Sequence, residues 1–415
     1  MPDQRNFWSK YCFLTIAVLM CLCIFPLYPQ EGHIISIEVI GLKRTKPHIA
    51  HYPLEKFIGR EASSLDLNEI EAVIKDTGIM ELVKTELVEA ENGLILRLTI
   101  EEKWAIFPFP LIMAGSGRYS FGFFLADMNA FGLRDQAAFG GIYSSSGWMA
   151  MAMYNHTPNR KGQFGWNSIF FFSRQEEEDE DKNQRVHRQY TADQLRFSFG
   201  VFYPFSDHIT GSATASFSNI TLQNNNKALN PPKNGAMLLG ISPGFSLRYS
   251  DWDGYLLSQQ SLSLTYQYNF AITGSSYQQT YLKAVYEKSL IPGFRLNLRS
   301  GVVWKSGRDP LNEESPQRAQ IDILPWKYSA RNYAGFSAGL EKHLFNTGPG
   351  VLSALFSWQC VFSNGLISGS EFNNGPSGGI RFYLSRLALP AMGANIAYNM
   401  NSGLVQLSFN VGMEF

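Results

Sequence analysis

The stretch Gly403-Leu-Val-Gln-Leu-Ser-Phe-Asn-Val-Gly-Met-Glu-Phe415 decides the fold. Side chains of a β-strand alternate between its two faces. Val405, Leu407, Phe409, Val411, Met413 and Phe415 therefore share one face. Leu404, Gln406, Ser408, Asn410, Gly412 and Glu414 share the other. One face is an apolar stripe, and the other is mostly small or polar. A strand of a soluble sandwich alternates in the same way, but this stripe runs out to a final aromatic with nothing after it to cover the edge.

Apolar residues at every second position before a last Phe resemble the closing strand of a bacterial outer-membrane barrel. That resemblance implies an export leader, a periplasmic portion and an even number of strands. It also makes Phe409, Val411, Met413 and Phe415 the candidate terminal assembly signal.

Composition agrees with a barrel. Of 415 residues 45% are hydrophobic and 14% aromatic, and there are 36 glycines, a mixture suited to strands joined by tight turns. The 35 basic and 35 acidic side chains balance, so no nucleic-acid partner is indicated. Mean hydropathy is slightly negative, which argues against a bundle of membrane helices but not against a barrel whose polar lining offsets its outer face. Cysteines fall at 12, 21, 23 and 360, so a chain without its leader has neither an internal disulfide nor a cysteine zinc site. The seven histidines lack metal-ligand spacing.

Residues 1–30 read as an export signal: Arg5 and Lys10, an apolar run from Tyr11 to Phe25, then Pro26. An uncleaved anchor is the alternative. From 32 to 103 the pattern is that of a small α+β module. Ile35, Ile37 and Val39 alternate as a strand ending at Gly41-Leu42, and a helix starts at Pro47. Asp66 caps a second helix, with Glu69 three residues on. Strands 83–90 and 94–101 follow, joined through Asn92-Gly93. The order β-α-α-β-β, with Gly-Leu after the first strand, resembles a polypeptide-transport-associated (POTRA) domain; another small α+β adaptor is the plainer reading. Such a domain receives extended clients by adding a strand at a free sheet edge, taken here as Leu94–Leu98.

From 104 to 415 helical periodicity is absent. Leu262, Leu264, Tyr266, Tyr268 and Phe270 alternate with Ser261, Ser263, Thr265, Gln267 and Asn269, and Arg295, Asn297 and Arg299 oppose Leu296 and Leu298. Sixteen such stretches run from 106–114 and 118–127 through to 389–400 and 403–415. The connections after even-numbered stretches are short. The long ones, 175–189, 223–237, 307–333 and 364–376, all follow odd-numbered stretches, as periplasmic turns and outside loops require. The expected fold is an α+β POTRA module followed by an all-β, sixteen-stranded antiparallel transmembrane barrel.

Together these features resemble the BamA/TamA superfamily of outer-membrane assembly and translocation proteins. Ala126-Asp127-Met128-Asn129-Ala130-Phe131-Gly132 is similar to the family's early turn motif. The family folds an Arg-Gly-aromatic tip back into the lumen from its longest loop, and Arg331-Asn332-Tyr333 stands there in this chain. Asn is the next best residue for the left-handed conformation that the missing Gly would adopt. The usual acidic partner on the thirteenth strand is absent, which makes Glu341 the substitute candidate for pairing with Arg331. The resemblance implies assembly or translocation of unfolded outer-membrane or secreted proteins, received by the POTRA domain, with periplasmic accessory proteins as further partners and outer-membrane lipid around the barrel. The seam between the first strand, weakened by Pro108 and Pro110, and the last strand is the expected lateral gate. A passive pore or surface-binding barrel is the alternative.

No cofactor or metal is expected. Glu176–Asp181 is an acidic run of the kind that is usually solvated, and calcium binding is the lesser reading. Gly115-Ser-Gly117 precedes no helix and so is no phosphate cradle. Arg196, Arg295, Arg299 and Arg381 are expected to face the lumen. No Ser/His/Asp set suggests an enzyme.

Overall fold

The computed structural model describes residues 32–115, 118–158, 162–223, 228–253, 256–306, 311, 321–325, 327–348, 350–365, 369–384 and 392–411. The expected signal at 1–30, and Met413 and Phe415 of the terminal stripe, lie outside them.

The first unit is a three-stranded sheet covered by helices. Strand β1 (Ile34–Ile40) leads through Gly41, whose φ of 101° turns the chain where a Cβ would sit 2.1 Å from the Ile100 carbonyl oxygen. Helix α1 (Pro47–His51) opens on its proline and continues as a 3₁₀ turn, Tyr52–Phe57. Helix α2 (Leu67–Asp76) is capped by Asp66, which accepts from Asn68 N–H at 2.9 Å. Glu69 does not close a capping box; it pairs with Lys56 and Arg60. Strands β2 (Met80–Ala90) and β3 (Gly93–Glu102) complete the sheet, in the order β1-β3-β2. Ile34, Leu54, Phe57, Ile70, Ile74, Leu96 and Leu98 form its core.

This order corrects one expectation. Leu94–Leu98 lies in the central strand, parallel to β1 and antiparallel to β2. Its donors are engaged on both sides, so a proline there would break the sheet rather than probe a free edge. A period-two pattern identifies strands, not their spatial order, so the sequence could not rank edge against centre.

The second unit is a single sixteen-stranded antiparallel sheet in which sequential strands are neighbours throughout. It runs from β4 (Ile106–Gly115), β5 (Arg118–Ala130), β6 (Asp135–Ser144), β7 (Gly147–His156), β8 (Gly165–Glu180) and β9 (Val186–Pro204) to β10 (Ile209–Gln223), β11 (Ala236–Asp253) and β12 (Leu256–Thr273). It continues with β13 (Tyr277–Ile291), β14 (Phe294–Ser306), β15 (Asn332–Thr347), β16 (Gly350–Gly365), β17 (Gly369–Leu384), β18 (Met392–Tyr398) and β19 (Val405–Val411). All sixteen expected strands are present.

Two of the expected long loops are instead strand. Residues 175–180 and 186–189 extend the β8–β9 hairpin, and 364–365 and 369–376 extend β16–β17. The hydrophobic alternation ends where the strands leave an apolar environment, but the hydrogen-bonded ladder does not, and the sequence signal follows only the first.

The outer face is apolar. Leu262, Leu264, Tyr266, Tyr268 and Phe270 are 40–54% exposed, and Val405 and Leu407 are 55% and 74% exposed. Their neighbours point inward and are polar: Arg295, Asn297, Glu341, Ser353, Gln359 and Asn373 are all buried. An exposed apolar band around a polar interior is a surface suited to lipid, and a transmembrane barrel is the architecture that presents it. No helix among the described residues is long and apolar enough to cross a membrane.

Placing Arg at Leu407 puts a charge on the lipid face at a cost of up to about 2–4 kcal/mol, depending on depth. The expected outcome is loss of heat-modifiable migration on a semi-native gel. Normal migration would reverse the assigned faces of β19.

Candidate functional site

Three places concentrate chemistry: the joint between the two units, the lumen, and the boundary between β4 and β19.

The joint is built on the early turn. Asp127 accepts from Arg44 Nη1 at 2.8 Å, pairs with Arg44 Nη2 as well, and takes the Asn129 N–H at 2.9 Å. Asn129, 2% exposed, donates from Nδ2 to Thr45 Oγ1 at 2.8 Å and accepts from Arg134 N–H. Gly132, with φ of 71°, accepts from Lys46 N–H at 2.9 Å. A Cβ there would lie 2.2 Å from the Arg44 carbonyl oxygen, so the approach of the small domain itself excludes any larger residue. Phe131 adopts φ of 57° and is 72% exposed, a conformation that a bulky side chain rarely accepts.

Within the small domain, Glu102 at the end of β3 accepts from the main-chain N–H groups of Lys43, Arg44 and Thr45 and so holds the loop that reaches Asp127. Burial alone would raise the Glu102 pKa. The bonds from Thr45, Lys43 and Arg44 outweigh it and hold the carboxyl below its ordinary value. Arg44, Thr45 and Glu102 carried no signal in the sequence, because the first two act only once the two units meet and Glu102 binds residues nearly sixty positions away.

In the lumen, Glu341 is fully buried and does not pair with Arg331. Its carboxylate takes Arg295 Nη2 at 2.5 Å, Arg381 Nη1 at 3.4 Å, Ser353 Oγ at 2.5 Å and Tyr383 OH at 2.7 Å. Arg299 and Arg295 also pair with Glu287, at 2.5 and 3.4 Å. The network laces β13 to β17. Arg331 instead precedes β15 at its far end, where its N–H donates to the Asn364 carbonyl. Ten residues of strand, roughly 33 Å at 3.3 Å each, separate it from Glu341. Arg331 Nη2 is buried and has no hydrogen-bond partner among the described residues. Asn332 is not left-handed; it begins β15, and its Oδ1 accepts from Lys305 N–H at 2.7 Å.

The segment before Arg331 enters the barrel mouth away from the small domain. Ile321, Ile323, Leu324, Tyr328 and Ala330 are wholly buried, in one cluster with Val303, Tyr333, Val361 and Ala397. Tyr328 OH is 2.5 Å from Ser363 Oγ. The acidic run is not simply solvated: Glu178 pairs with Lys327 at 2.9 Å, Asp179 accepts from Ser329 Oγ at 2.6 Å, and Glu180 N–H donates to the Lys327 carbonyl. It grips this segment. No group of three or more His, Cys, Asp or Glu among the described residues could hold a metal ion.

At the β4/β19 boundary no ladder is formed among the described residues, whereas every other neighbouring pair in the sheet is bonded. Among the described residues β18 and β19 have seven residues each, and β17 pairs with β18 from Ser377 to Phe382. Strand β4 pairs with β5 over its whole length, including Pro108 and Pro110.

No family model matches the sequence, and no curated protein resembles it in sequence. Solved structures do match in fold. CdiB from Escherichia coli superposes with a TM-score of 0.61 at 13% identity, over 92% of this chain and 75% of that one. CdiB from Acinetobacter baumannii gives 0.58 at 13% identity, over 92% and 74%. BamA from Haemophilus ducreyi lacking POTRA domains 1–3 gives 0.51 at 11% identity, over 91% and 84%. The chain has the fold of these outer-membrane barrels.

The joint is expected to weaken in acid. A carboxyl whose folded pKa is depressed stabilises above its unfolded value and stops doing so as pH falls through the folded one. Limited proteolysis of the 103–105 linker should therefore be constant at roughly pH 6–8 and accelerate below the ordinary carboxylate range. Glu102→Gln should be cleaved faster already at neutral pH. Equal cleavage of both proteins would remove Glu102 from the joint.

Proposed function

We propose that this chain inserts or translocates other polypeptides at a bacterial outer membrane, with the POTRA-like domain as receptor and the β4/β19 seam as lateral gate. The observation that carries the reading is the seam. Within lipid an unpaired strand edge leaves donors and acceptors without water, so an open boundary is costly unless another strand fills it. Pro108 and Pro110 are two apart and therefore offer their missing donors to one edge of β4. Prolines are tolerated in strands where the N–H side is unpaired, and the unbroken ladder with β5 leaves the seam as that edge. An incoming strand could pair there at once.

The receptor edge in this reading is β2. It has eleven residues and pairs on one side only, with β3, among the described residues. A buried apolar segment seated in the barrel mouth is at odds with an open passive pore. None of the chemistry described requires catalysis.

Paired cysteines scanned along 106–115 and 405–411 should yield disulfides that lock the barrel and stop client assembly. Full assembly in a quantitatively crosslinked protein would leave the passive barrel as the better account. Separately, prolines scanned along Met80–Ala90 should fall into two groups. Those removing an N–H bonded to β3 should unfold the domain, and the alternate ones should fold yet lose crosslinking to unfolded outer-membrane proteins. Retained crosslinking across the folded group would remove β2 as the receptor edge.

A further inference from the structure

The lumen side of the last four strands carries neutral amides. Gln359 of β16, Asn373 of β17, Asn395 of β18 and Gln406 of β19 face inward and are each at most 9% exposed, as is Asn399 just beyond β18. The ladders make diagonal neighbours of two pairs: Asn373 opposes Val361, two residues from Gln359, and Gln406 opposes Ala397, two residues from Asn395. Among the described residues, charges border the patch without entering it. Arg381 and Glu341 lie on the side toward the small domain, and Glu371 lies toward the far mouth.

Three polar atoms of this patch have no hydrogen-bond partner among the described residues: Asn373 Nδ2, Asn395 Oδ1 and Gln406 Nε2. Buried groups of this kind are normally satisfied, so their occurrence on three neighbouring strands needs an explanation. Gly379 makes room for one of them, since a Cβ there would lie 2.0 Å from Asn395 Oδ1.

A primary amide offers a donor and an acceptor, as a peptide group does, and carries no charge. A patch of amides therefore suits the main chain of an extended segment and is indifferent to its side chains. The molecule contains one such contact already. Asp322 N–H donates to Gln359 Oε1 at 2.7 Å, and Ile321, Ile323 and Leu324 pack in one cluster with Val361 and Ala397.

We propose that this amide patch binds the extended main chain of a client polypeptide beside the seam, independently of sequence, and that residues 321–324 occupy its outer end until a client arrives. The proposal rests on the assembly or translocation reading above. It adds where in the lumen a client is held and by which groups.

The test uses the full chain in lipid nanodiscs and a fluorescent, uncharged Ser/Thr/Val peptide of roughly ten residues, about one membrane strand. Anisotropy titrations compare it with the same peptide in reversed order and with a copy N-methylated at alternate residues. The first two should bind alike. The methylated copy should bind about tenfold more weakly, the loss expected from one or two neutral hydrogen bonds. Asn395→Leu combined with Gln406→Met, checked for folding by heat-modifiable migration, should lose a similar factor for the unmethylated peptide. If the methylated copy binds equally well, or the folded variant binds unchanged, the site is overturned and lumen water alone satisfies these amides. The methylation comparison needs no variant and stands even if the double substitution fails to fold. Client assembly through a locked seam would instead overturn the parent reading while leaving these titrations intact, so the two failures are distinguishable.

Discussion

A strand that crosses lipid must have both of its edges paired, and this constraint organises the molecule. From β5 to β18 every strand meets it with a neighbour on each side. The two end strands are left to one another, one carrying alternate prolines and the other only seven described residues. Among the described residues that boundary is where the ladder is interrupted.

The rest of the barrel is stiffened where the seam is not. Glu341, Glu287 and three arginines tie β13 through β17 across the lumen wall. Charges removed from bulk water are worth little as added stability, but removing one partner strands the other at about 3–5 kcal/mol. The network thus resists rearrangement of those strands. It ends at β17, and beyond it the lumen face changes from charges to neutral amides. At the opposite side of the seam, the turn after β5 is clamped to the small domain by Arg44, Thr45 and Lys46. Movement of that domain would be felt within two strands of the β4/β19 boundary.

At the far mouth the acidic hairpin and the 321–331 segment depend on each other. The segment buries apolar side chains in an otherwise polar lumen, which compensates for ordering a long connection. The hairpin fixes it with one ion pair, a hydroxyl bond and main-chain contacts. A charged run that looks like a solvated loop serves as a clasp because its strands continue past the apolar band.

The sequence by itself determined the strands, their number and which face of each meets lipid. Period-two alternation is a local property, visible within ten residues, and register cannot slip without exposing the wrong face. That is why Val405 and Leu407 point outward as Gly403–Phe415 implied, whereas Asp127, Asn129 and Gly132 stood out only through the resemblance of 126–132 to a family motif. What the pattern lacked was distance between elements. The central place of β3, the partners of Glu341, the separation of Arg331 from it and the contact of Arg44 with Asp127 all join residues far apart in the chain. Only the tertiary structure decided these, because the energy of a buried charge or an unpaired amide depends on what closes over it, and no local pattern records that.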